Sequence, residues 1–85
     1  MKPYLPAEYQ AADVTAIQQL ERGEAGPDMQ KRALAWIINE VAKTYDLSYH
    51  PESDRDTSFA EGKRFVGSSI IKMLKLDPAK VRSQE

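Results

Sequence analysis

The stretch that decides the architecture of this chain is Asp56-Thr57-Ser58-Phe59-Ala60-Glu61-Gly62-Lys63-Arg64-Phe65-Val66-Gly67. Ser58 and Glu61 have the spacing of a capping box, which predicts that the last long helix begins at Ser58. Two glycines follow inside this helix, where each costs about 1 kcal/mol relative to alanine. Such a cost indicates a close approach of another backbone. We therefore expect Gly62, on the apolar stripe, to pack against a facing helix or the ring of Trp36 or Tyr45.

The same helix is amphipathic along its whole length. At about 100° per residue, one face carries Phe59, Gly62, Val66, Ile70, Met73 and Leu74. The opposite side carries Glu61, Arg64, Ser68, Lys72 and Lys75. Asp77-Pro78 should stop the helix, so we expect it to span about residues 58–76. The polar residues 79–85 then form a flexible C-terminal tail.

Two further helices precede this one. The first spans about residues 7–22, opened by Pro6 or, in a shorter version, capped by Asp13, and Gly23 suits its end. The second spans about residues 27–45, with Pro27 at its first position. Residues 1–6 contain two prolines and should form a flexible N-terminal tail. The prediction is one all-α domain over residues 1–85, a small three-helix domain with flexible tails at both ends.

The second helix is apolar on two faces. One face carries Leu34, Ile37, Ile38, Val41 and Tyr45, and the other carries Met29, Ala33 and Trp36. Such a helix either lies centrally between its neighbours or exposes one face to a partner. A central helix would bury Trp36 against the first helix near Ala16 and Leu20, which is the interpretation we favour because small bundles bury such helices. An exposed Trp36 would instead be the core of an interface.

Composition excludes several classes of function. The chain has no cysteine, so disulfides, thiolate metal sites and cysteine nucleophiles are ruled out. Its net charge of −1 provides no general attraction to nucleic acid or to an anionic membrane. No apolar run approaches the roughly 20 residues of a membrane span, and the N-terminus lacks the apolar core of a signal peptide. We expect a soluble protein that stays in the cell that makes it.

Catalytic and metal-binding patterns are weak. His50 is the single histidine and lies in the polar connection over residues 46–57, among acidic residues. Neither a convergent set of three or four ligands nor the pattern of a calcium loop is present. Gly67-Ser68-Ser69 lies inside a helix without a preceding strand, so it is no nucleophile elbow. The sequence therefore predicts no catalytic residue, no metal and no cofactor.

Four cations make the last helix net basic, namely Lys63, Arg64, Lys72 and Lys75. They can be read as a phosphate-binding face or as the solvated back of a helix whose cations lie near its C-terminus. Arg64 has a second possible role, because it can pair with Glu61 one turn earlier or with an acid of the 46–56 connection. A helix-turn-helix would use the second helix for recognition, and that helix is too apolar for the purpose.

The quoted stretch resembles the signature of a family of small phage and prophage proteins founded on a short reading frame of a Bordetella podovirus. The family hallmark is similar to Phe-x-Glu-Gly-Arg-Arg-x-Val-Gly followed by an aliphatic helix. The positions that match are Phe59, Glu61, Gly62, Arg64, Val66 and Gly67. Lys63 replaces the first arginine, which keeps the charge and loses a bidentate fork. Residues 30–38 also resemble the preceding helix of that family.

This resemblance implies a protein encoded in the head and packaging region of a phage genome, or a prophage copy. Because the family has no established activity, it supplies no catalytic residue. We expect a non-enzymatic helical protein that acts by protein–protein contacts in virion assembly or as a minor virion component. Its partner would be a phage structural protein or a second copy, in the bacterial cytoplasm or the virion. The alternative is an accessory nucleic-acid-binding protein that uses the four cations.

Overall fold

The computed structural model describes residues 5–46, 51 and 53–84, of which 72% are helical and none lies in a strand. The prediction of a small all-α domain is confirmed. Helix α1 spans Ala11–Glu21, and α2 spans Pro27–Trp36 and continues into a π-helical turn over Ile37–Val41. Helix α3 spans Asp54–Lys75, and a short helix α4 spans Pro78–Ser83.

Helix α1 begins later than residue 7 and is not capped by Asp13. Its N-cap is Gln10, whose backbone N–H donates to the Asp13 carboxylate at 2.9 Å. Asp13 is therefore the third residue of the helix, where its charge suits the positive end of the helix dipole. The predicted end is confirmed. Gly23 has φ 71°, a left-handed conformation favourable to glycine, and its N–H donates to the Leu20 carbonyl at 3.1 Å.

Helix α3 begins four residues before the predicted Ser58. Its N-cap is Ser53, whose hydroxyl oxygen accepts a hydrogen bond from the Asp56 N–H at 3.1 Å. Asp54 and Asp56 lie in the first turn, where acidic side chains are stabilised. The predicted capping box at Ser58 and Glu61 is wrong, because an equally good capping residue stands upstream of it.

The C-terminal segment is helical rather than a flexible tail. Asp77 caps α4, since its carboxylate accepts from the Ala79 N–H at 2.9 Å, and Pro78 occupies the first helical position. Aspartate followed by proline therefore ends α3 and also starts the next helix. The predicted N-terminal tail lies partly outside the described residues, and residues 5–10 form no helix.

Helices α1 and α2 pack against each other and form most of the small core. Ala16 of α1 and Ala33 of α2 are both fully buried. Across the same pair, the Arg32 guanidinium Nε lies 2.9 Å from the Asp13 carboxylate. The remaining buried apolar residues are Ile38, Ala42 and Ala60. Because four of these five residues are alanines, the described part of the chain buries little apolar side-chain area.

Helix α3 is held at the turn that follows α2. The Thr44 hydroxyl is buried and donates to the Ile38 carbonyl at 2.8 Å, and the Arg64 guanidinium donates to the Thr44 carbonyl at 3.3 Å. A methyl group added at Gly67 would overlap the Thr44 hydroxyl and lie 2.8 Å from Thr44 Cβ. Gly67 is thus the position of close approach. The prediction for Gly62 is wrong, because among the described residues nothing beyond its own stretch of α3 lies within 4 Å of a Cβ placed there.

The molecule is flat and extended. Its dimensions are 43 × 39 × 16 Å and its radius of gyration is 15.5 Å, whereas a compact domain of 85 residues would have about 12 Å. Among the described helices, α3 packs against the π-helical turn and not against α1 or α2. Of the predicted core face of the second helix, Ile38 is buried, but Val41 and Tyr45 are exposed. The helices therefore do not enclose one shared core.

Candidate protein-interaction surface

An apolar stripe on α3 has no partner in the described part of the chain. We call it the α3 stripe and define it as Phe59, Gly62, Val66, Ile70 and Met73. Phe59 is 49%, Val66 54% and Met73 70% exposed, and Ile70 is half-buried. The sequence predicted that this face, together with Leu74, would face the core. Instead it faces solvent.

The packed face of α3 is displaced from the stripe by one residue. Ala60, Gly67 and Ile71 each follow a stripe residue in sequence, and they are buried or half-buried. One residue corresponds to a rotation of about 100° around the helix. The absence of a side chain at Gly67 lets the backbone of α3 come close to Thr44 and Ala42. Close backbone approach therefore determines which face packs, and the larger apolar side chains are left outside.

The stretch over residues 56–67 contributes to two different surfaces. Gly67 and Arg64 hold α3 to Thr44, as described above. Arg64 also pairs with Glu61 through atoms 3.6 Å apart, which is the first of the two alternative partners predicted for it. Phe59, Gly62 and Val66 point away from this junction and belong to the α3 stripe. The stretch therefore combines an anchor for the helix with an exposed apolar surface.

The structure does not bring the four predicted cations onto one face. The Lys63 ammonium lies 5.7 Å from the centre of the Phe59 ring, beside the stripe. Arg64 is engaged by Thr44 and Glu61. Lys72 and Lys75 are exposed in the last turn of α3. By their spacing, the four positions are spread over about half of the helix circumference, so they do not form one basic track.

Trp36 is half-buried and makes a contact that the sequence did not predict. Its indole N–H donates to the Glu8 carbonyl at 2.9 Å, so the side chain is bonded to the segment before α1. A groove of about 360 Å³ runs beside it, between residues 8–13 and α2. The Arg32 guanidinium crosses this groove to Gln10 and Asp13. Trp36 therefore fastens the N-terminal segment to α2.

Within the described residues, no group of three or more histidine, cysteine, aspartate or glutamate side chains could hold a metal ion. His50, the single histidine, lies outside the described residues. No helix in the described part of the chain is long and apolar enough to cross a membrane.

Comparison of the chain with protein-family models, with curated proteins and with solved structures finds no match. The interpretation of the α3 stripe therefore depends on its own geometry.

Proposed function

We propose that this chain is a non-enzymatic helical protein of phage or prophage origin that acts through protein–protein contacts of the α3 stripe. Its role would be virion assembly or that of a minor virion component, in the bacterial cytoplasm or the virion. The observation that supports the proposal is the exposure of the α3 stripe, which has no partner among the residues that the structure describes. Large contiguous apolar surfaces are uncommon on monomers and mark interaction sites.

The way in which α3 is held to the rest of the chain supports a role in which it presents the stripe to a partner. Gly67 and Arg64 fix the helix to the body at Thr44, while residues 72–75 of the same helix are all exposed. A helix held at one side and apolar on another resembles the helix-in-groove mode of recognition, in which anchors recur every three or four residues. Val66, Ile70 and Met73 have this spacing.

The competing function is nucleic-acid binding, which depends on clustered phosphate contacts. The structure disperses the four cations and engages Arg64 with Thr44 and Glu61, so no observation favours it. Nuclease-sensitive adducts in the following experiment would support nucleic-acid binding.

The test is site-specific photo-crosslinking in a bacterial cell that carries the encoding phage or prophage during particle production. A photoreactive residue replaces Val66 in one variant and Ser68 in the other. Ser68 is exposed and lies on the side of α3 opposite the stripe. Adducts are identified by mass spectrometry before and after nuclease treatment.

We expect the Val66 position to capture a phage structural protein or a second copy of the chain, and the Ser68 position to capture far less. Adducts of Val66 that disappear after nuclease treatment would contradict the proposal in favour of nucleic acid. Equal capture from both positions would contradict the role of the stripe. Absence of any protein adduct from Val66 would contradict the proposal as a whole.

A further inference from the structure

We infer that the α3 stripe is a self-association surface, on which a second copy of this chain packs its own α3 in antiparallel orientation with the two-fold axis at Val66. The inference rests on the proposed function, since it names the partner of the same surface. Two features of α3 carry it, namely the distribution of side-chain volume along the stripe and the direction of the helix dipole.

The side-chain volumes of the stripe are self-complementary in the antiparallel direction. With Val66 opposite Val66 of the second copy, Gly62 lies opposite Ile70 and Phe59 lies opposite Met73. Each pair has the same midpoint along the chain, as a two-fold axis requires. The space at Gly62, where no described residue beyond its own stretch of α3 lies within 4 Å of an added Cβ, then receives the Ile70 side chain. A parallel pair would place Gly62 opposite Gly62 and leave a void.

The helix dipoles favour the same direction, because an antiparallel pair places the positive end of each α3 beside the negative end of the other. The acidic side chains of the first turn and the basic side chains of the last turn, namely Asp54, Asp56, Lys72 and Lys75, lie off the stripe, so the pairing depends on the apolar contact.

The extended shape leaves room for this partner. The stripe lies about 100° around α3 from the face that meets Thr44, so a second helix does not compete with the body of its own chain. From Phe59 to Met73 the stripe is about 21 Å long at 1.5 Å per residue. A contact of this length belongs to the smaller specific interfaces, for which we expect a dissociation constant in the micromolar range.

The first experiment is sedimentation equilibrium of the full chain across the micromolar range. We expect the mass to rise from one chain of 9.6 kDa toward two as the concentration increases. Val66→Glu places two like charges at the two-fold axis and should raise the dissociation constant at least tenfold. Phe65→Glu is the matched control, because Phe65 is 72% exposed and lies off the stripe. It should leave the dissociation constant within about threefold.

The second experiment determines the orientation with introduced thiols, since the chain contains no cysteine. A disulfide needs Cβ atoms about 3.5–4.5 Å apart. We expect Val66→Cys to cross-link with itself on oxidation. Phe59→Cys and Met73→Cys should cross-link with each other in a mixture, and neither should do so alone. Circular dichroism of each variant confirms that the helices are retained.

Several results would overturn the inference. They are a single-chain mass at every concentration, weaker association of Phe65→Glu rather than of Val66→Glu, or efficient cross-linking of Met73→Cys with itself.

Failure of this inference can be distinguished from failure of the proposed function. A single-chain mass together with capture of a phage protein from Val66 in cells would refute the second copy and leave the function intact. A single-chain mass without any capture from Val66 would refute both.

Discussion

Gly62 and Gly67 lie five residues apart in one helix. From the structure we expect substitution by alanine to change the free energy of unfolding in opposite directions at the two positions. Either change to alanine gains about 1 kcal/mol of helix propensity. At Gly62 the added methyl group enters open space, so this gain should appear in full. At Gly67 the methyl group meets the Thr44 hydroxyl and Cβ.

The cost at Gly67 follows from the surroundings of Thr44. Its side chain is 7% exposed, and its hydroxyl donates to the Ile38 carbonyl at 2.8 Å. Rotating that side chain away breaks a hydrogen bond worth about 0.5–1.5 kcal/mol. Thr44 Cβ still lies 2.8 Å from the new methyl group, so α3 must also shift, and overpacking of this kind costs about 1–3 kcal/mol. After subtraction of the gain in helix propensity, we expect Gly67→Ala to destabilise the folded state by about 1–3 kcal/mol.

The assay is urea unfolding followed by circular dichroism, with both variants made in the Val66→Glu background so that association does not contribute. The unfolding free energies of Gly62→Ala and Gly67→Ala should differ by about 2–4 kcal/mol with opposite signs. Adding Thr44→Ala should reduce the cost of Gly67→Ala, which a double-mutant cycle would measure as a coupling of at least about 0.5 kcal/mol. Two stabilising glycine substitutions would refute the packing of α3 on Thr44.

Two further substitutions test the body of the molecule by the same unfolding assay. Lys43 has φ 50°, a strained conformation for a residue with a side chain, so Lys43→Gly should raise the unfolding free energy by up to about 1 kcal/mol, while Lys43→Ala should not. A loss of stability in Lys43→Gly would count against the left-handed turn. Arg32→Met removes the 2.9 Å pair with Asp13 and should cost about 1 kcal/mol, against about zero for the exposed control Lys31→Met. Equal effects of the two methionine variants would mean that this pair does not join α1 to α2.

The large exposed apolar area is consistent with the small core. The buried apolar residues in the described part of the chain are mostly alanines, whereas Phe59, Val66 and Met73 remain in solvent. Association through these side chains would bury apolar surface that is exposed to solvent in the single chain. Stability of the folded state would then depend on protein concentration, as it does for any protein whose folded form is the one that associates.

The sequence predicted which residues form the α3 stripe, but it did not predict that the stripe faces solvent. The stripe positions share one face by helical spacing alone, and the Arg64–Glu61 pair follows from a separation of three residues. The periodicity could not show whether this face meets the core or solvent, since both uses demand the same apolar residues. Nor could it show that Trp36 would bond to the Glu8 carbonyl, 28 residues earlier in the chain.

The sequence by itself determined the features that depend on neighbours along the chain. These include the all-α class, the end of α1 at Gly23 and the stop at Asp77-Pro78, because caps and breakers act within one helical turn. Only the tertiary structure decided which side of α3 packs. Gly67 lies beside Thr44 and Gly62 lies in open space, although the two have the same local preference. Contact between residues distant in sequence sets that choice, because helical periodicity shows which residues share a face and not which other element that face meets.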